Sequence, residues 1–393
     1  MASHMTERSA PQMTPEPVTI PPLLRDLRVA LVHDYLNQSG GAEKVVEVFA
    51  EMFPGAPLYT SVYDRDRMPG VWRTLDVRTS FMQRISPRLM IAKSLVPLYP
   101  SAFELFDLRE YDLVLSSTTA FAKGVITRPE TCHVCYCNNP TRFFWMYHDY
   151  FEHERFPAVL QALFPWVMSM LRTWDYVAAQ RVDYFVAGSG NAARRIAKYY
   201  RRDSEVVQPP IDARRFQICD QPGDYFLVVA RLQSYKRIDL AVEACNRLGL
   251  PLHVIGDGPH RARLRGLAGP TVRFLGRASD DEVRYEMAHC RALIFPGEED
   301  FGLTPLEVQA CGRPVIAYGV GGALETVREG ITGVFFREPT VDALVHVLHS
   351  FRDTYDPQVL RAHALGFDKE IFKRCMYEVL IRCYEEHQNR FKV

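Results

Sequence analysis

A chain of 393 residues is too long for one ordinary hydrophobic core, and with nearly half its residues apolar it is built to fold, so two domains are expected. Its 47 basic residues balance its 47 acidic ones, which removes the global field of a nucleic-acid-binding chain and leaves any attraction for anions to local groups. Nine cysteines, odd in number and scattered, fit reduced thiols rather than a disulfide framework.

In chain order, the opening MASHM reads as a cloning remnant, and residues 6–23 hold Pro, Thr and Ser with little to bury, so 1–23 is expected to be a disordered lead-in. There is no apolar signal core, and a cytoplasmic protein is expected. From residue 24 strand-like apolar runs alternate with helix-like periodic segments, the signature of parallel α/β architecture. Candidate strands are Arg28 to Asp34 (RVALVHD), Asp112 to Thr118 (DLVLSST), His133 to Asn138 (HVCYCN) and Asp183 to Ser189 (DYFVAGS). Helices such as Ala42 to Phe53 and Ala192 to Tyr200 lie between or after them. Met82 to Tyr99 mixes Arg and Lys with large apolar residues, as a helix in a membrane interface would, although internal packing explains the same residues. Phe156 to Trp174 is the longest apolar region, but Gln161, Pro165 and Ser169 interrupt it and argue against a membrane span. Cys132, His133, Cys135 and Cys137 gather soft ligands in one place. The run reads better as a buried strand than as a metal site, since no second ligand pair follows at zinc-finger spacing.

The second half repeats the plan, with strands at Tyr225 to Ala230, Leu252 to Gly256, Val272 to Gly276, Ala292 to Pro296 and Pro314 to Tyr318. Pro209 and Pro210 supply a stiff connector, which sets a first domain over 24–207 and a second over 208–368. The amphipathic segment Lys369 to Gln388, within 369–393, is expected to pack back across the first domain.

Open α/β sheets bind ligands beyond the carboxyl ends of their strands, so the loops there carry the argument. After the first strand, Gly40 and Gly41 immediately precede a helix. They allow close backbone approach and leave N–H groups for a phosphate, or they make only a flexible turn; a dinucleotide GxGxxG is absent. After Tyr225 to Ala230 come Arg231 and Lys236, a planar fork and a compact charge suited to a diphosphate. Gly256 to Pro259 and Gly319 to Gly322 are tight turns first and backbone cradles second. The stretch EEDFGLTPLE (Glu298 to Glu307) follows a strand and opens a helix. Thr304 as N-cap, Pro305 next and Glu307 three residues after the cap would form a capping box, which leaves the crowding of Glu298, Glu299 and Asp300 unexplained.

Together these loops resemble the retaining glycosyltransferases of family 4, whose GT-B fold sets two Rossmann-like, doubly wound parallel-sheet domains around a cleft. The matching pieces are Gly40-Gly41, VVQPPID, Arg231 with Lys236, and Glu299 to Glu307 as the E-x7-E signature, over about residue 28 onward. Spacing selects Glu299 over Glu298. The resemblance implies that Arg231 and Lys236 hold the donor diphosphate. It also implies that Glu307 takes the ribose hydroxyls, that Glu299 takes the donor sugar's hydroxyls, and that backbone N–H groups of Phe301, Gly302, Leu303 and Thr304 lie near sugar and phosphate. Asn138 stands where many members have His, and cannot act as an acid or base near neutral pH; His148 is a candidate substitute. In the family's retaining reaction the leaving phosphate oxygen takes the acceptor proton, so positioning and charge stabilisation dominate. No metal or other cofactor is implied.

Within the family, the Gly40-Gly41 segment and NPTRFFW look most like bacterial mannosyltransferases that use GDP-mannose in cell-surface polysaccharide assembly. That likeness implies a glycan or lipid-linked acceptor and peripheral contact with the inner face of the membrane. A UDP-hexose donor, a nucleotide-sugar epimerase and a non-catalytic sugar- or nucleotide-binding protein are the competing readings.

Overall fold

The computed structural model describes residues 15–38, 40–68, 70–85, 93–146 and 158–391. Two parallel sheets organise them. In the first, β1 (Val29–His33), β2 (Leu58–Thr60), β3 (Val77–Thr79), β4 (Leu113–Thr118), β5 (Cys132–Cys137), β6 (Tyr184–Ala187) and β7 (Ser204–Val206) take the order β3-β2-β1-β4-β5-β6-β7. In the second, β8 (Phe226–Val229), β9 (Leu252–Ile255), β10 (Val272–Gly276), β11 (Ala292–Phe295), β12 (Val315–Tyr318) and β13 (Gly333–Phe336) take the order β10-β9-β8-β11-β12-β13. Every pairing is parallel, β1 meeting β4 through Val29↔Leu113 to His33↔Ser117. These are the two doubly wound, Rossmann-like domains of the GT-B fold.

Alternation decides which way each strand faces. Val29, Leu31, Leu113 and Leu115 enter one core layer, while Ala30, Val32 and Val114 enter the layer on the opposite face. Leu227, Leu293 and Val315 are likewise separated from Phe226, Val228, Ile294 and Ile316. Strands buried on both faces need continuous apolar runs, which is why the central strands could be read from sequence and the three-residue β2, β3 and β7 could not.

The chain crosses between the domains twice. Ile211 N–H donates to the Phe367 carbonyl (2.9 Å) and Lys369 N–H to the Ile211 carbonyl (2.9 Å), so the two crossings lie side by side. The helix Lys369–Phe391 then lies on the first domain and buries Phe372, Met376, Tyr377, Leu380 and Cys383 against Phe49 and Tyr136. Apolar side chains of this size each gain about 1.5–3 kcal/mol on burial, enough to fix the helix firmly.

The structure corrects two expectations. Residues 15–23 are not a loose lead-in: Val18 N–H donates to Glu370 Oε2 at 2.8 Å, Val18 and Ile20 pack on the first core, and Pro22–Arg25 is helical. The apolar segment read at Phe156 to Trp174 falls largely within the helix Ala158–Gln180, with Pro165 inside it. Met82 to Tyr99 does not form one interfacial helix among its described residues. It gives the short 3-10 turns Phe81–Arg84 and Lys93–Leu98, with Met82 and Tyr99 buried; residues 86–92 lie outside the described set. No described helix is long and apolar enough to cross a membrane.

Beneath the carboxyl ends of β4 and β5 lies a buried polar cluster. Lys123 Nζ sits 2.6 Å from Asp175, whose carboxylate also accepts from Thr141 Oγ1 (2.7 Å), Trp145 Nε1 (2.7 Å) and Tyr200 Oη (2.8 Å). Both charged residues are fully buried. A lone Lys123→Met substitution, which leaves Asp175 buried without its counter-ion, is expected to cost about 3–5 kcal/mol in urea unfolding, whereas the joint Lys123→Met, Asp175→Leu variant should lose less.

Candidate functional site

Strand order reverses between β1 and β4 in one sheet and between β8 and β11 in the other, and the loops leaving these strands form the facing walls of the cleft. On the first-domain side, Asp34 at the end of β1 accepts the backbone N–H groups of Thr119 (2.5 Å), Ala120 (2.9 Å), Phe121 (2.7 Å) and Ala122 (2.6 Å), which ties the loops after β1 and β4 together. The chain then turns through Gly40 into the helix Gly41–Met52, which has no side-chain N-cap.

On the other side, the helix Leu303–Ala310 also begins without a side-chain cap. The two starts meet, since a Cβ at Gly41 would lie 3.3 Å from Leu303 Cδ1. Two helix N-termini, one from each domain and neither with a side-chain cap among the described residues, thus bring their first-turn N–H groups and the positive ends of two helix dipoles to the same place.

The expected capping box is absent. Gly302, at φ +90°, takes the N-cap position, so the helix starts earlier and Thr304 falls inside it. A positive φ suits glycine, and it lets the chain turn from the acidic loop into the helix without a Thr cap. Glu307 is therefore not spent on the helix end; it is buried and forms an ion pair with Lys44 of the helix Gly41–Met52.

The acidic cluster is resolved residue by residue. Glu299 pairs with Lys236, bringing two of the expected donor residues together. Asp300 meets Arg142 Nη1 (3.4 Å) and Arg195 Nη1, both of the first domain, and Glu298 lies 3.7 Å from Arg195 Nη2. Arg231 reaches across to donate to Gln38 Oε1 at 2.9 Å. The turn Gly319 to Gly322 acts as a buttress: Gly322 N–H donates to the Glu299 carbonyl (2.8 Å), and a Cβ on Gly322 would stand 2.2 Å from the Phe301 backbone. Phe301 is buried in the second core, while Gly302, Leu303 and Thr304 remain partly open.

Asn138 lies at the end of β5, and its amide donates to Ser117 Oγ (3.1 Å) and the Thr118 carbonyl (3.3 Å), bonds that stay within the first domain. His148 lies outside the described residues. The cysteine cluster is core: Cys132, Cys135 and Cys137 are buried in β5, and burial pushes the Cys135 thiol up to about 12 and the His133 imidazole down to about 3. All nine cysteines are free, and no cluster of three or more potential metal ligands occurs among the described residues.

Sequence reasoning missed Lys44, Gln38, Arg142 and Arg195, and singled out Asp300 without its partners. Lys44 carried a signal, because a lysine one turn into a helix stands at the wrong end of the dipole unless an anion faces it. The others are paired over separations of 105 to 193 positions that no local pattern encodes.

The region of residues 212–357 matches the family model described as Glycosyl transferases group 1. A D-inositol 3-phosphate glycosyltransferase of Geodermatophilus obscurus is 31% identical over 191 residues, covering 39% of this chain and 41% of that protein. A second protein of that description, from Streptomyces scabiei, is 26% identical over 251 residues, 54% of this chain and 56% of its own length. The chain thus spans about half the length of these curated relatives. Among solved structures, sucrose-phosphate synthase from Thermosynechococcus elongatus superposes with a TM-score of 0.69 at 16% identity, covering 91% of this chain and 99% of that one. Anabaena HepE in complex with UDP and glucose gives 0.64 at 17%, covering 90% and 99%. These likenesses establish the two-domain fold.

Under the Gly40-Gly41 turn, His33 Nε2 lies 3.5 Å from Glu43 and its Nδ1 3.1 Å from the Ser117 carbonyl. Burial alone would lower the His33 pKa, but the Glu43 carboxylate, then Asp34 and the Ser117 carbonyl, raise it above the ordinary histidine value. A raised folded-state pKa stabilises the protein fully below the unfolded value and loses that contribution as pH rises through the folded value. Unfolding midpoints taken from about pH 5.5 to about pH 9 should therefore carry a falling component that Glu43→Gln removes.

Proposed function

We propose that the protein is a glycosyltransferase that moves a hexose from a nucleoside diphosphate sugar to a glycan or lipid-linked saccharide. The observation that carries this reading is the meeting of two uncapped helix N-termini across the cleft, flanked by Lys44, Lys236 and Arg231 and by the acids Glu299 and Glu307. N–H groups and ammonium or guanidinium charges suit a diphosphate, and carboxylates suit hydroxyls. The group 1 match over residues 212–357 supports the same assignment for the second domain.

In this reading Arg231, Lys236 and the N–H groups from Phe301 to Thr304, with the Gly40-Gly41 turn opposite, hold the diphosphate. Glu307 accepts from the ribose hydroxyls and Glu299 from those of the sugar. The bond between the anomeric carbon and the phosphate oxygen breaks as the acceptor oxygen bonds that carbon on the same face. The acceptor proton passes to the departing phosphate oxygen, so configuration is retained and no side-chain base is required. Asn138 lines the reacting side as a neutral hydrogen-bonding group. Reaction without a metal is part of the proposal, as is peripheral placement at the inner face of the membrane, where lipid-linked acceptors reside.

For the donor we propose GDP-mannose, on the likeness of the Gly40-Gly41 and NPTRFFW segments to GDP-mannose-dependent enzymes. UDP-glucose is the second reading, favoured by the superposition on HepE, which was solved with that compound. Thermal shift with each compound, followed by product analysis in the presence of a chelator, separates them. A chain stabilised by neither, and by no other nucleotide sugar, is not a transferase of this kind. Lys236→Ala should lower turnover by about 100-fold or more, by removing a charge that meets the leaving phosphate. Glu307→Ala should chiefly weaken nucleotide binding in calorimetry, whereas Glu299→Ala should chiefly lower kcat; equal, small effects would reduce both acids to structural ion-pair partners.

A further inference from the structure

Several ties across the cleft use groups that the donor itself needs. Glu307 is held by Lys44, and Arg231 by Gln38, so in the function proposed above both pairs compete with donor contacts. The tie at Asp300 uses no such group. Its carboxylate lies between Arg142, in the short helix Arg142–Trp145 that follows β5, and Arg195, on the helix Gly190–Tyr199. The side chains of Arg142, Arg195 and Asp300 are 18%, 14% and 25% exposed, sheltered enough to escape the screening that makes surface pairs weak.

The helix Gly190–Tyr199 is gripped a second time. Glu325 of the second domain accepts the backbone N–H groups of Gly190 (3.1 Å) and Asn191 (3.3 Å), placing an anion on the positive end of that helix. Three second-domain carboxylates, Glu298, Asp300 and Glu325, thus meet one first-domain helix, and Asp300 is covalently adjacent to Glu299. The Glu299 main chain is fixed from its other side by Gly322 N–H.

We propose that Asp300 is a positioning residue: held between Arg142 and Arg195, it sets the loop that presents Glu299 to the donor sugar and registers that loop against the β5 end of the first domain. The inference rests on the donor-site reading above. It also gives the crowding of Glu298, Glu299 and Asp300 a division of labour, in which the middle acid faces ligand and its neighbours face the opposite domain.

The test uses the full chain with a nucleotide sugar that it turns over. Asp300→Asn and Arg195→Met should each lower kcat by at least about tenfold, as a misplacement well under 1 Å would, while nucleoside diphosphate affinity in calorimetry stays within about threefold. The double variant should lose less than the two single losses combined, because the two residues share the Asp300–Arg195 contact. Arg195→Lys, which keeps the charge, should recover part of the loss. A kcat within about twofold of wild type for Asp300→Asn, or an affinity loss as large as the kcat loss, overturns the proposal. The two failures are distinguishable: a wild-type chain that turns over no nucleotide sugar sinks the functional reading, whereas a wild-type chain that does turn one over, with kcat untouched by Asp300→Asn, sinks the clamp on its own.

Discussion

The dominant constraint is the direction of the strands. Parallel strands release their loops at one end of the sheet and start their following helices there, so each domain gathers helix N-termini along one edge. When two such edges face each other, positive helix ends oppose positive helix ends, and the cleft between them is unfavourable unless anions enter it. The protein supplies its own, placing Glu307, Glu299 and Asp300 against Lys44, Lys236, Arg142 and Arg195. In the function proposed above, a nucleoside diphosphate sugar competes for the same field.

Precision in this cleft comes from backbone more than from side chains. Asp34 gathers four N–H groups to lock the β1 and β4 loops, and the Gly319 to Gly322 turn is pressed so closely on Phe301 that a methyl group could not be added at Gly322. The buried Lys123–Asp175 cluster supports the loop after β5 from below through Thr141 and Trp145. The long lysines and arginines of the cleft therefore extend from helices and loops that the backbone contacts hold in register.

Much of this was legible in the sequence, and what was not has physical reasons. Strands such as Ala292–Phe295 are buried on both faces and announce themselves as apolar runs, so the two-sheet plan and the loops at its strand ends could be read directly. The edge strands Val77–Thr79 and Ser204–Val206 are too short and too exposed to show a period. The Thr304 capping box failed because a rule of local sequence met Gly302, whose positive φ moved the helix start and freed Glu307 for a long-range partner. Arg142 and Arg195 look like ordinary surface arginines until the second domain brings Asp300 to them.

The paired crossings at Ile211 and Asp368 give the second domain the standing of an insert. It leaves and re-enters through neighbouring, hydrogen-bonded segments, so its ends are already closed on each other. The first domain, by contrast, takes part of its core from residues 372–383, supplied only after the second domain has been traversed. During synthesis the second domain can complete its own core first, while the first waits with the Phe49 and Tyr136 face uncovered. The layer that holds Phe49 and Tyr136 is thus the last part of the first domain that can close, although most of its residues come early in the chain.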